Sequence, residues 1–260
     1  MAPRIPSFAY PLVTLGVLVV VWEVSVVAFD IPTYLLPPFH SVIATLVQEI
    51  GTLLRHSSTT LLEVLLGFGL TIAVALPISI GIASFRLVDQ LVYPVLVASQ
   101  TIPKVAIAPL LLVWLGFGLA PKIAIVVIVA FFPLVISSVA GLKSTPLEML
   151  QLGRSMGLGR LAMFQKIVLP HALPTIFAGI KVAITLSVIG AVVGEFVGSD
   201  SGLGYLLIRA LSNLDVELMF AALIVLSLIG VALFNIVSLI ERATIPWHAS
   251  QRITHVAGTA

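Results

Sequence analysis

Long apolar runs alternate along this chain with short polar joints. Clear runs cover residues 10–29, 59–85, 122–141, 171–197 and 218–240, and each is close to the about 20 residues a helix needs to cross a bilayer core roughly 30 Å thick. Another run, residues 91–115, carries Pro94, Pro103 and Pro109. Each proline removes a backbone donor, so this span should be kinked or broken, with its freed carbonyls satisfied by neighbouring protein or water. The pattern predicts an all-α integral membrane protein with about six transmembrane helices. Residues 10–29 read as an anchor rather than a cleaved signal peptide, because the apolar run is too long and no small-x-small cleavage site follows it.

Two stretches break the pattern. Residues 31–58 are too polar to cross. Their Ser41-Val42-Ile43-Ala44-Thr45-Leu46-Val47 segment, continued by Ile50, Leu53 and Leu54, sets apolar positions on one helical face, which fits a helix lying on the membrane surface and equally an ordinary packed connector. The second stretch is TPLEMLQLGRSMGLGRLAMFQKIVLP, residues 145–170. Thr145, Pro146 and Glu148 have the grammar of a helix start: a capping hydroxyl, a proline at the first helical position and an acid at the third. Gly157 and Gly159 can end that helix, and a second short helix over residues 161–168 should stop before Pro170. Leu147, Leu150, Met156, Leu161 and Phe164 are more apolar than a free aqueous loop should expose, so they form a docking surface or pack on the chain's own helix ends. The expected organisation is an anchor and surface helix over 1–58, a core over 59–245 containing the 142–170 loop, and a tail over 246–260.

Composition supports the bilayer reading. The chain is 60% hydrophobic and 9% charged, against roughly 25% charged for a soluble domain. It has no cysteine, which excludes disulfides, thiolate metal sites and a cysteine nucleophile. Six spans put both termini on one side. If that side is the cytoplasm, Arg4, Arg86, Lys143, Arg154, Arg160, Lys166, Arg242 and Arg252 fall inside and Arg55, Lys122 and Arg209 outside. This bias is the one that loop charge imposes on inner-membrane proteins, and it places residues 145–170 in the cytoplasm.

Chemistry is sparse. There is no Gly-x-x-x-x-Gly-Lys-Ser/Thr loop, so ATP phosphates cannot be cradled by the usual route. Gly157-Leu158-Gly159-Arg160-Leu161-Ala162 fits a dinucleotide fingerprint only formally, since no strand precedes it. No histidine sits at metal-ligand spacing from another, and no catalytic triad or His-Glu-x-x-His pattern occurs. Ionisable residues within or beside the spans are Glu23, Glu63, Lys104, Lys181 and Glu195, of which Glu23, Glu63 and Lys181 read as structural groups that can snorkel from span ends. Lys104 stands beside Gln100 and Thr101 in the proline-broken span, where it either lines a solute pathway or pairs with Glu195. Gly190, Gly194 and Gly198, at four-residue spacing, clear a groove for a close helix neighbour in this chain or in a second copy.

The pattern Gln151-Leu152-Gly153-x-x-x-Gly157, followed after nine residues by Ile167-x-Leu169-Pro170, resembles the Glu-Ala-Ala loop of permease subunits in binding-protein-dependent ABC importers. Residues 107–118, with Ile107-Ala108-Pro109-Leu110 and Trp114-Leu115-Gly116-Phe117-Gly118, and residues 194–205, with Gly194-Glu195-Phe196-Val197-Gly198 and Gly202-Leu203-Gly204-Tyr205, are similar to the nitrate, sulfonate and taurine branch, as is Pro246-Trp247-His248. The resemblance implies a type I importer permease in a bacterial inner membrane. It implies a cytoplasmic coupling helix seated in a separate ATP-binding subunit, with Glu148, Gln151, Leu152, Gly153, Arg154, Met156, Gly157, Arg160, Ile167, Leu169 and Pro170 at that contact. It also implies a second permease copy, a soluble substrate-binding protein, no nucleic acid, and no cofactor on this chain, since ATP and magnesium belong to the partner. The solute would be a nitrate-, sulfonate- or taurine-like anion or a pyrimidine or flavin vitamin precursor, passing near Gln100, Thr101, Lys104 and Glu195. Gln151, Leu152 and Gly153 stand where the family has Glu, Ala and Ala, so the motif's leading acid is missing here. An ion-driven transporter would need paired broken helices, and only one span is broken; a membrane enzyme would need a catalytic constellation.

Overall fold

The computed structural model describes residues 9–247, and every regular element among them is helical. In chain order these are α1 (Ala9–Ala28), α2 (Phe39–Gln48), α3 (Ile50–Ser84), α4 (Arg86–Ser99), a 3₁₀ turn (Lys104–Ile107), α5 (Ala108–Leu115), α6 (Leu119–Lys143), α7 (Leu147–Ser155), α8 (Arg160–Met163), a π-helical turn (Phe164–Val168), α9 (Leu169–Gly198), α10 (Leu203–Ser212) and α11 (Val216–Thr244). Arg4, His248 and Arg252 lie outside the described residues. By length and composition α3, α6, the run Arg160–Gly198 and α11 can each cross a membrane. The pair Arg86–Ser99 and Lys104–Leu115, bent by 88°, makes a fifth span if taken together. Within α1 the described apolar stretch is Val13–Ala28, so the described residues give four such spans, or five with the bent pair.

Two compact units divide the chain. The first combines residues up to Thr59 with Ser201–Ser227. Here Glu23 of α1 works as a remote cap for α2: one carboxylate oxygen accepts the Phe39 N–H at 2.7 Å and the other lies 2.6 Å from His40 Nδ1. A carboxylate at a helix start satisfies donors that have no intrahelical partner. The stripe that fitted a surface helix or a packed connector is divided between two helices. α2 stops at Gln48, and Ile50, Leu53 and Leu54 are the first turns of α3. Val42 and Leu53 are fully buried and Thr45 Oγ1 donates to Glu217 at 3.1 Å, so α2 is a packed connector.

The second unit comprises Thr60–Asp200 and the residues from Leu228. Its spine is the antiparallel pair α6 and α9, brought together by small residues along nearly the whole length. A Cβ added at Gly190 would stand 2.9 Å from Val126 Cα, one at Gly194 3.2 Å from Lys122 Cα, one at Gly179 2.6 Å from Ser137 Cβ, and one at Gly141 3.1 Å from the Ala172 carbonyl. The neighbour of the glycine groove is therefore α6 of the same chain, with Gly198 facing the Leu112 side chain of α5. Backbones this close gain dispersion contacts that lipid cannot match. Val126, Ala130, Leu134, Ala183, Ile184 and Ala191 are buried along this seam.

Proline effects differ from position to position. Pro94 is absorbed inside α4, Pro103 sits in the break, and Pro109 opens α5, where its missing N–H costs nothing. Pro170 does not end a helix, contrary to the sequence expectation. It lies in the first turn of α9, directly after the π-helical turn Phe164–Val168, and the helical path is continuous from Arg160 to Gly198. The wider turn, with Leu169 N–H bonded to the Phe164 carbonyl, shifts the hydrogen-bond register just before a residue that cannot donate.

Candidate functional site

The 145–170 loop folds as a tight helical hairpin. α7 starts one residue later than the sequence suggests: Pro146, extended at φ −57° and ψ 141°, is its cap, and no side chain caps it. Thr145 Oγ1 is buried without a hydrogen-bond partner, beside a cavity of about 340 Å³ that Leu150, Phe164 and Val168 also line. The other end of α7 forms as expected. Gly157 adopts φ +74°, its N–H bonds the Arg154 carbonyl at 3.0 Å, and the Leu158 N–H reaches back to Gly153 O at 3.1 Å. These paired bonds are a Schellman closure, which needs a left-handed residue at that point. Gly153 is the buried residue of α7; a Cβ there would stand 2.7 Å from Ile167 Cδ1 and 2.7 Å from Met163 Sδ. Gly153 and Ile167, two positions of the motif, thus meet where the hairpin arms cross.

The remaining motif residues point outward. Glu148, Gln151, Arg154, Gly157 and Arg160 are exposed, while Leu169 and Pro170 are half-buried at the entry to α9. Leu152, Met156 and Leu161 are 62%, 71% and 69% exposed, so of the apolar loop residues these do not pack on the chain's own helix ends, whereas Leu150 and Phe164 partly do. The hairpin therefore exposes apolar side chains together with two cations, Arg154 and Arg160.

At the other end of α6 lies a cluster that local reading misassigned. Glu63 does not snorkel; it is fully buried, and its Oε1 accepts from Lys122 Nζ at 2.7 Å. Lys122 is not a loop cation. It is 6% exposed, inside the first turn of α6, and it also donates to Ser199 Oγ at 2.6 Å. Glu195 is 1% exposed and accepts from Thr60 Oγ1 at 2.6 Å. Burying charges without partners costs several kcal/mol each, so these groups exist in apolar helices only as a set. A cleft of about 460 Å³ opens beside them, lined by Phe117, Gly118, Lys122, Gly198, Ser199 and Asp200. The signal in the sequence was polar residues one turn apart, Thr60 with Glu63 and Glu195 with Ser199, inside otherwise apolar spans.

Lys104 and Glu195 do not form a pair. Lys104 Nζ lies 5.0 Å from the centroid of the Phe132 ring, a cation–π contact, at the corner of the bent span beside exposed Gln100 and Thr101. Lys181 also departs from the snorkelling expectation, since its ammonium donates to Glu241 Oε2 at 2.7 Å. Among the described residues no group of three or more His, Cys, Asp or Glu could hold a metal ion.

Comparison with known proteins places these features in context. The family described as "Binding-protein-dependent transport system inner membrane component" matches residues 73–246. The formylaminopyrimidine transport permease protein of Halalkalibacterium halodurans is 35% identical over 90% of this chain and 94% of its own length. The riboflavin transport system permease protein of Chloroflexus aurantiacus is 36% identical, over 94% and 92%. A chain from the inward-facing MetNI methionine ABC transporter superposes with a TM-score of 0.64 at 20% identity, covering 75% of this chain and 97% of that one. It shares the fold.

Proposed function

This chain belongs to the inner membrane components of binding-protein-dependent transport systems, and we propose that residues 145–170 are the surface by which it couples solute passage to a separate ATP-binding subunit. As an ABC importer permease it is a multi-pass membrane protein that forms the path for a small solute. The observation that carries the coupling assignment is the exposed ridge of Leu152, Met156 and Leu161 on a hairpin closed by Gly157. Arg154 and Arg160 are exposed on the same hairpin, and Glu148 and Gln151 stand exposed on α7. A rigid apolar surface rimmed by charge is the anatomy of a specific protein contact. ATP and magnesium then belong to the partner, the loop faces the cytoplasm with both termini, and residues 59–245 form the transport core, flanked by the 1–58 anchor region and the 246–260 tail. A second permease copy completes the path, and a soluble binding protein delivers solute on the opposite side.

Replacing Gly157 with Val tests the assignment. A Cβ at this position meets open space, so the cost is conformational, about 1–2 kcal/mol for a left-handed residue, and more for a β-branched one. The variant should reach the membrane, while the ATP-binding subunit recovered with a tagged permease, or the solute moved per ATP hydrolysed, falls several-fold. Normal assembly and transport would exclude this role for the hairpin.

The solute is best read as a nitrogen heterocycle. Relatives named for a pyrimidine and a flavin are 35% and 36% identical, against 28% and 26% for relatives named for sulfonates and taurine. The sulfonate alternative draws on those relatives and on Lys104, because a cation beside Gln100 and Thr101 at the broken span could meet an anion. Uptake assays with Lys104→Gln separate the two. An unchanged rate for a formylaminopyrimidine or riboflavin fits the heterocycle, and uptake of taurine that Lys104→Gln abolishes would reverse the assignment.

A further inference from the structure

We infer that the buried pair Lys122 and Glu63 is a mechanical joint for transport, a positioning contact that fastens α3 to the α6–α9 pair at the end remote from the coupling loop. The inference rests on the importer reading above. The α6–α9 seam is stiff because Gly190 and Gly194 set it at backbone contact with Val126 and Lys122. Lys122 and Lys143 stand near opposite ends of α6, roughly 30 Å apart at 1.5 Å per residue. One end of the spine therefore meets the 145–170 hairpin, and the other carries Lys122.

At that far end the side chains join three helices. Lys122 on α6 holds Glu63 on α3 at 2.7 Å and Ser199 at the end of α9 at 2.6 Å, and Thr60 on α3 donates to Glu195 on α9 at 2.6 Å. Seam packing is already sufficient to hold α6 on α9, so the ions are not needed there. Glu63 and Lys122 instead join α3 to the spine. A buried ion pair is a weak source of net stability but a directional one, since its distance and angle are fixed while apolar contacts can slide. A displacement imposed on the hairpin by ATP-driven closure would reach α3 through this pair, beside the cleft lined by Phe117, Lys122 and Asp200.

The test separates a joint from a mere stabilising contact. In the complete importer, the apolar double variant Glu63→Leu with Lys122→Met removes both members of the pair and leaves Glu195 its bond from Thr60, so it should assemble and hydrolyse ATP within about twofold of wild type while solute uptake falls about tenfold. Lys122→Arg, which keeps the charge and the donors, should recover part of the uptake. A double variant that transports at the wild-type rate overturns the joint. An independent measurement needs no perturbed pair: the chain has no cysteine, so L66C on α3 and L119C on α6, both exposed, can carry spin labels. Their separation should stay constant between the nucleotide-free and ATP-bound complexes. A shift of about 5 Å, one helical turn, would mean that α3 slides past the spine, and it overturns the joint even if the double variant fails to assemble. If the complex contains no ATP-binding subunit at all, the importer reading fails instead.

Discussion

Gly190→Val is expected to leave little folded protein in the membrane. The added Cβ would lie 2.9 Å from the Cα of Val126 and 3.4 Å from its backbone nitrogen. Backbone atoms inside a helix cannot swing aside, so α6 and α9 would have to separate along the seam that organises the second unit. Overpacking of this kind costs about 1–3 kcal/mol when side chains absorb it and more when backbone must move. Gly198→Ala is the internal control. Its Cβ would also be close to a neighbour, 2.5 Å, but that neighbour is Leu112 Cδ1, the far end of a side chain with other rotamers available. Thermal unfolding in detergent should therefore lower the midpoint of Gly198→Ala by a few degrees, about 1 kcal/mol in a chain of this size, and show no folded fraction for Gly190→Val. Equal midpoints for the two would mean that the seam is looser than the backbone distances imply.

The features legible in the sequence were those fixed by local chemistry or by the solvent. Bilayer thickness makes span length a strong constraint, and prolines at 94, 103 and 109 announced a broken helix, which the structure bends by 88°. Gly157 was legible because a left-handed helix end has few alternatives. Pairings across the fold were not. Glu63 and Lys122 are 59 residues apart, and nothing near either one names its partner, so each was read from its position in its own span and assigned to a span end or a loop. Lys181 was misread for the same reason, its partner Glu241 being 60 residues away. Thr145 failed as a cap because the proline after it takes the extended cap conformation itself. Pro170 failed as a stop because a π-helical turn absorbed the missing donor, a local rearrangement that residue preferences do not encode. The proposed coupling residues Leu152, Met156 and Arg154 were placed by resemblance to a family motif, and their exposure supports a contact.

Replacing Leu152 and Met156 together with Glu is expected to abolish recovery of the ATP-binding subunit with the permease while leaving the permease folded. Leu152 on α7 and Met156 at its C-terminal cap stand one helical turn apart, and both are exposed, so little intramolecular packing is lost. In a docked complex they would occupy the desolvated centre of the contact, where single anchor residues account for about 2–4 kcal/mol and where a carboxylate brought out of water without a partner is costly. A combined loss of that size lowers affinity by at least a hundredfold, enough to empty the complex at working concentrations. Gln151→Ala should have a far smaller effect. Gln151 carries no charge, so the proposed contact would not depend on an acid there and would draw on shape, with Arg154 and Arg160 also exposed on the hairpin. Since rim charges act mainly on association rate and its salt dependence, Arg154→Ala should slow binding and flatten its response to salt without emptying the complex. If instead Leu152 and Met156 tolerate Glu while Arg154→Ala releases the partner, the hairpin docks through charge and the apolar ridge faces lipid or another copy of the chain.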